Sequence, residues 1–215
     1  MVKFSPKKLK INNNHAPFFV IIMSTIYIVD RSYENIDFTQ HSSEKSEYEN
    51  CIFRNCNFEY GNLSGFTFTD CEFIECNLSM AKLVKTAFHD VVFKECKMFG
   101  LQFTDCNPFG LSFRFEGSAL NNSVFYQTSI KKTVFKDSKL IEVDFAECDL
   151  SNAVFINCDL SGAVFDNTNL EKADFRTSVS YSIDPALNRL KKAKFSLSEI
   201  YGLLYKLDIE IDKNS

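Results

Sequence analysis

From Leu120 to Phe175 every fifth residue is large and apolar: Leu120, Phe125, Ile130, Phe135, Leu140, Phe145, Leu150, Phe155, Leu160, Phe165, Leu170 and Phe175. A spacing of five is neither the 3.6-residue stripe of a helix nor the alternation of a simple strand, so it marks an internal repeat. The residue two places before each of these is small for most of the run, as in Ser118, Ser123, Thr128, Cys148, Ala153, Cys158 and Ala163. In an extended segment residues two apart share a side, so the small and the large residue face inward together and the other three face out. Those three are mostly Asp, Asn, Lys, Glu, Ser and Gly, as at Asn152, Asp159 and Asn167, which suits an outer surface with corners.

The number of sides also follows from the residues. With four sides of five residues, positions twenty apart stack, giving uniform columns: Phe125, Phe145 and Phe165; Phe135, Phe155 and Phe175; Leu120, Leu140 and Leu160. Three sides would alternate Phe with Leu in every column. These columns are the expected core of a four-sided solenoid.

Units such as Cys148-Asp149-Leu150-Ser151-Asn152 and Cys158-Asp159-Leu160-Ser161-Gly162 resemble the pentapeptide repeat family, whose unit is A(D/N)LXX. The resemblance implies an all-β fold, a right-handed quadrilateral β-helix with about twenty residues per coil.

The repeat accounts for a composition with 23 Phe and no Trp, and the 45% hydrophobic content is that of a globular chain. The eight cysteines, Cys51, Cys56, Cys71, Cys76, Cys96, Cys106, Cys148 and Cys158, all fall on the small inward position. The pairs Cys51/Cys56 and Cys71/Cys76 superficially have zinc-ligand form, but the repeat reads them as small buried core residues, with Cys56, Cys76 and Cys96 in one column and Cys51 with Cys71 in another. Unoxidised thiols favour the cytoplasm, and no run reaches the roughly 18 apolar residues of a membrane span.

Taken in order, residues 1–32 do not fit the later pattern. Lys3, Lys7, Lys8 and Lys10 precede a short apolar run from Ala16 to Ile22, and Met23 offers an alternative start. This is either a leader ahead of an N-terminal cap or sequence upstream of the true start; the absence of a cleavage pattern argues against a signal peptide. The repeat then occupies residues 33–195. It begins in a different register, Tyr33, Phe38, Tyr48, Phe53, Phe58, Leu63 and on to Phe103, with a poor fit at Ser43. At Pro108 the pattern breaks, because proline lacks the N–H a ladder needs, and residues 107–117 are either a bulged loop or a junction between two segments. Residues 196–215 close the chain: Ser196-Leu197-Ser198-Glu199 has the form of a capping box, the apolar positions behind it predict an α-helix, and Ile209 and Ile211 alternate as a short strand.

No catalytic constellation is present. His15, His41 and His89 stand apart from any nucleophile arrangement, and there is no phosphate-binding or dinucleotide motif, so a non-enzymatic protein with no cofactor and no metal is expected. Charge is more informative: the chain carries −4 overall, but the stretch from Tyr33 to Phe175 holds 22 acidic and 12 basic residues. Its clustered acids are Glu142, Asp144, Glu147, Asp149, Asp159, Asp166, Glu171 and Asp174, and they are read together as an acidic partner-binding face. The two-register solenoid with an apolar end resembles the Qnr-type quinolone-resistance group of the family. That resemblance implies a cytoplasmic homodimer joined through its C-terminal ends, here Ile200, Leu203, Leu204 and Leu207. It also implies mimicry of duplex DNA and binding to DNA gyrase or topoisomerase IV, without direct contact to nucleic acid or membrane. The competing expectations are a structural scaffold with another partner and an immunity protein against a topoisomerase-directed toxin.

Overall fold

Corners determine this structure. In the computed structural model, which describes residues 26–39, 46–207, 209–210 and 212, the second residue after most of the large apolar ones has positive φ: Asn55 after Phe53, Asp137 after Phe135, Asn152 after Leu150, Gly162 after Leu160. Asn, Asp and Gly tolerate this left-handed conformation, but Tyr60, Met80, Lys132 and Glu142 adopt it too. Bonds between coils override propensity there, since the corner N–H donates upward, Lys132 to Ser151 O at 3.0 Å and Glu142 to Ser161 O at 2.8 Å.

Each set of four corners closes one coil, and coils pair in parallel, residue i with residue i+20, as in Phe53↔Phe73 and Asp149↔Asn169. Side 1 carries the column from Tyr33 and Phe53 to Phe175; side 2 carries Phe58, Leu78, Met98, Leu120, Leu140 and Leu160. Side 3 carries Leu63, Leu83, Phe103, Phe125, Phe145 and Phe165; side 4 carries Tyr48, Phe68, Phe88, Ile130, Leu150 and Leu170. Among the described residues regular strands form on two sides. On side 4, β1 (Ile26–Val29), β3 (Ser46–Glu49), β5 (Thr67–Thr69) and β7 (Ala87–His89) make a four-stranded sheet. On side 1, β2 (Ser32–Glu34), β4 (Ile52–Arg54), β6 (Glu72–Ile74), β8 (Val91–Lys94), β9 (Phe113–Glu116), β10 (Val134–Lys136) and β11 (Val154–Ile156) make a seven-stranded one.

The core columns stack ring on ring. Phe125–Phe145 and Phe145–Phe165 have centroids 5.3 and 5.2 Å apart, and Phe135–Phe155 and Phe155–Phe175 are 5.0 and 4.5 Å apart. Leu120, Leu140 and Leu160 are fully buried. The register break is a bulge that leaves both neighbours in one solenoid: Phe73 pairs with Phe93 twenty residues on, whereas Phe93 pairs with Phe115 twenty-two residues on. Side 4 takes up the extra residues around Pro108, Phe109 and Gly110. The side 1 ladder therefore continues from Tyr33 to Phe195 without interruption, with Phe93–Phe115 stacked at 5.4 Å and Phe175–Phe195 at 5.4 Å.

The cysteines are free and buried, and most do more than fill space. Sides 2, 3 and the upper half of side 4 turn with a backbone bond, such as Ala153 N–H to Leu150 O at 3.0 Å. Where a side is a strand that bond is commonly missing, and a thiol or hydroxyl from the next coil donates to the stranded carbonyl. Cys76 Sγ reaches Phe53 O at 3.3 Å, Cys96 Sγ reaches Phe73 O at 3.4 Å, Ser118 Oγ reaches Phe93 O at 3.3 Å and Ser178 Oγ reaches Phe155 O at 2.9 Å. The same column accepts backbone donors, as Cys158 N–H to Ser178 Oγ at 3.2 Å. Burial pushes the thiol of Cys158 up to about 11 and that of Cys71 up to about 12, which keeps both protonated as donors. Ser178→Ala is expected to cost about 1–3 kcal/mol in urea unfolding, because Phe155 O and Cys158 N–H lose a partner together; an unchanged midpoint would remove this role.

The C-terminal end differs from the sequence expectation. The repeat persists through Asp174↔Lys194, but the predicted α-helix is a single 3-10 turn, Ile200–Leu203. Glu199 does not bond back to Ser196; its carboxylate accepts the Ser180 N–H at 3.3 Å. Gly202 O accepts Ile183 N–H at 2.8 Å, and a Cβ on Gly202 would lie 2.2 Å from Tyr181 O. A segment clamped this closely to the coil beneath cannot wind as a free helix. Ile209, Glu210 and Asp212 have no regular structure, so the final strand is not formed among the described residues. The segment 1–25, Ser43 and Ile211 lie outside the described residues.

Candidate partner-binding surface

The five-residue period that builds the core also distributes charge. The residue before each large apolar one points outward, and on successive units this position visits successive sides. Asp144, Asp149, Asp159 and Asp174 consequently pair with four different columns, Val124 and Val164, Ser129 and Asn169, Lys139 and Val179, and Val154 and Lys194. The eight clustered acids do not form one face, which corrects the sequence reading; closeness in sequence is not closeness on a four-sided rod.

Several of them have local duties. Asp144, Asp149, Asp159 and Asp174 each accept the backbone N–H two residues on, at 2.8, 3.0, 3.0 and 3.2 Å, closing the next corner. Three are also neutralised. Asp149 pairs with Lys131 at 3.2 Å, Glu171 with Arg189 at 2.7 Å, and Asp174 with Arg176 at 2.8 Å and Lys194 at 3.5 Å. The Arg176 hydrogen bond beside Asp174 is the main reason its carboxyl is held below the usual range.

Of the unpaired acids Asp159 lies on side 2, and the others gather on side 3 or its edge. Between residues 101 and 187 this side presents Asp105, Asp144, Glu147, Asp166 and Asp184, and none of its own outward positions is Lys or Arg. Glu142 stands on the corner between sides 2 and 3, accepting Asn122 Nδ2 at 2.6 Å. Glu147 is held by Tyr126 Oη at 3.1 Å and Gln127 Nε2 at 2.6 Å, so its carboxylate is oriented. Asp184 meets Lys206 from the terminal turn at 3.2 Å. Asp105 and Asp184 escape a search for sequence clusters; tabulating side 3 coil by coil, with the two-residue step at the bulge, finds them.

The four terminal leucine and isoleucine positions also divide. Leu203 packs on the core, Ile200 and Leu204 are half-buried, and Leu207 is 56% exposed. Exposed Leu197, Tyr205 and Ile209 accompany Leu207 at that end of the rod. Among the described residues no group of His, Cys, Asp and Glu is placed to hold a metal ion, and no helix is long and apolar enough to cross a membrane.

Stacked parallel coils with a solid aromatic core and a segregated charged exterior define a β-solenoid repeat protein. The family model of pentapeptide repeats matches residues 51–90, 71–107 and 144–178 in eight copies, so these stretches of the solenoid carry pentapeptide repeats. Two solved structures of trypsin-treated variants of QnrB1, a plasmid-mediated fluoroquinolone resistance protein, share this fold. One is 18% identical, with 86% of this chain and 100% of that chain covered at a TM-score of 0.57; the other is 19% identical, with 87% and 98% covered at 0.57. No curated protein matches the chain in sequence.

Proposed function

We propose that this chain is a non-enzymatic DNA mimic that binds a type II topoisomerase, DNA gyrase or topoisomerase IV, as a homodimer and protects it from quinolones. The observation that carries this reading is side 3 above residue 101, where five carboxylates, of which only Asp184 meets a base from the terminal turn, face out with no Lys or Arg among the side's own outward positions. Coils repeat at about 4.8 Å, so the strip sets carboxylates at a linear density approaching that of one DNA strand, whose phosphates recur every ~3.4 Å. A saddle that binds duplex DNA would find on side 3 a rigid row of negative charge. The fold shared with a fluoroquinolone resistance protein supports the same reading.

Homodimerisation falls to the apolar C-terminal end, with Leu207 as the accessible contact and Leu203 as part of the core. Leu207→Glu is expected to halve the mass in solution at physiological ionic strength without lowering the melting midpoint, as sedimentation and thermal unfolding would show. A dimer that survives the change places the contact elsewhere.

The function is tested by titrating the protein into a gyrase supercoiling assay with and without ciprofloxacin. Restored supercoiling in drug, or inhibition without it, is expected, and either effect should fade as salt rises. No effect at any concentration overturns the proposal.

A further inference from the structure

We propose that side 4 is a second, lateral interface on which another copy of this chain packs antiparallel, with its two-fold axis at the bulge. This goes beyond the topoisomerase reading and does not depend on it.

The corner column between sides 4 and 1 reads, coil by coil, Asp30, Asn50, Asp70, Asp90, Ser112, Lys132, Asn152, Lys172 and Lys192, every member but Ser112 with positive φ. Ser112 lies at its centre, its hydroxyl donating to Asp90 Oδ1 at 2.9 Å. Below it the column holds acids and one Asn; above it, lysines and one Asn. A two-fold axis perpendicular to the rod and passing through Ser112 sets this column against itself in reverse. Asp90 then faces Lys132 of the partner, Asp70 faces Asn152, Asn50 faces Lys172 and Asp30 faces Lys192. The rest of side 4 has the same polarity. Glu47 and Glu49 add to the acidic half, while in the basic half both acids, Asp149 and Glu171, are already paired with Lys131 and Arg189. The match is isologous, as closed two-fold association requires.

At the centre stands Phe109, which is 81% exposed. Its backbone is fixed on both sides: its N–H donates to Asn107 Oδ1 at 3.1 Å, and its carbonyl lies 3.2 Å from His89 Nε2. An exposed aromatic ring mounted on a braced backbone at the pivot, with complementary charge on either flank, has the layout of an interface in which a central anchor supplies affinity and the rim sets orientation. The side is narrow, so association is weak and depends on salt.

Two variants and their mixture test this. The protein with K132E, K172E and K192E has an acidic column throughout; that with D30K, D70K and D90K has a basic one. Each is made in the Leu207→Glu background, which removes the terminal contact, and followed by sedimentation equilibrium at low ionic strength. Leu207→Glu alone is expected to dimerise and to return to monomer when salt is raised. Each triple variant is expected to stay monomeric, and an equimolar mixture to dimerise again. Because D90K removes the acceptor for Ser112 Oγ, seen at 2.9 Å, melting curves accompany every sample. Phe109→Ser, at a ring that is 81% exposed, should weaken the dimer at least tenfold and leave the melting midpoint unchanged. Monomeric Leu207→Glu at low salt, or triple variants that self-associate as their parent does, would overturn the proposal.

Discussion

Replacing Phe135 by alanine is expected to destabilise the rod by about 3–5 kcal/mol, near the upper end for a core truncation. The ring is fully buried and lies flat between Phe115 and Phe155, at 5.1 and 5.0 Å, with Phe125 and Phe145 meeting its edge at 6.3 and 5.9 Å. The coils above and below are fixed by parallel pairing, Phe135↔Phe115 and Phe135↔Phe155, so they cannot collapse into the vacated space. A persistent cavity adds its own cost to the lost transfer energy. Each coil also touches only its neighbours, and a weak coil in mid-rod uncouples the two halves. Urea unfolding followed by circular dichroism should therefore show a lower midpoint and a broadened or divided transition. Phe135→Leu keeps most of the volume and is expected to cost less than about 1.5 kcal/mol. An unchanged midpoint for the alanine variant would mean that the aromatic ladder is not what holds successive coils together.

How far that ladder reaches was only partly legible in the residues. Spacing alone groups Phe135, Phe155 and Phe175, because they share one register. It does not join them to Phe93, Phe73 and Tyr33, since the bulge near Phe109 adds two residues and hides the continuity from any fixed period. The small inward position was legible as a steric requirement, yet its chemistry was not. Cys96, Ser118 and Ser178 are chosen over alanine because the strand corners leave a carbonyl without a turn bond, a need that appears only once the coil is closed. At the C-terminus, Ser196 to Glu199 has a helix-start pattern, and local pattern lost to tertiary bonds: Glu199 and Gly202 are engaged by Ser180 and Ile183 of the last coil. Charge misled most. Asp149, Asp159 and Asp174 sit close to Asp144 in sequence and on three other sides of the rod, where corner bonds and lysine or arginine partners account for most of them.

Side 3 can be separated from the remaining acids by reversing it alone. Glu147→Lys and Asp166→Lys, combined with Asp144→Asn, are expected to weaken the effect on gyrase by about tenfold or more for each reversed charge. Exchanging attraction for repulsion is worth about 2 kcal/mol per close pair even in water. Asparagine is used at position 144 because it can still accept the Ala146 N–H now held at 2.8 Å, so the corner is kept while the charge is removed. The control with the same total charge change is Asp159→Asn with Glu171→Lys and Asp174→Lys, on sides 2, 4 and 1, where Glu171 and Asp174 already have basic partners. The supercoiling titration in ciprofloxacin should shift to far higher protein concentration for the side 3 variant and hardly at all for the control, and the side 3 variant should lose much of its salt dependence. Equal losses from both would show that the partner senses net negative charge and not an ordered strip, and the DNA-mimic reading of side 3 would then fall even if gyrase binding survived.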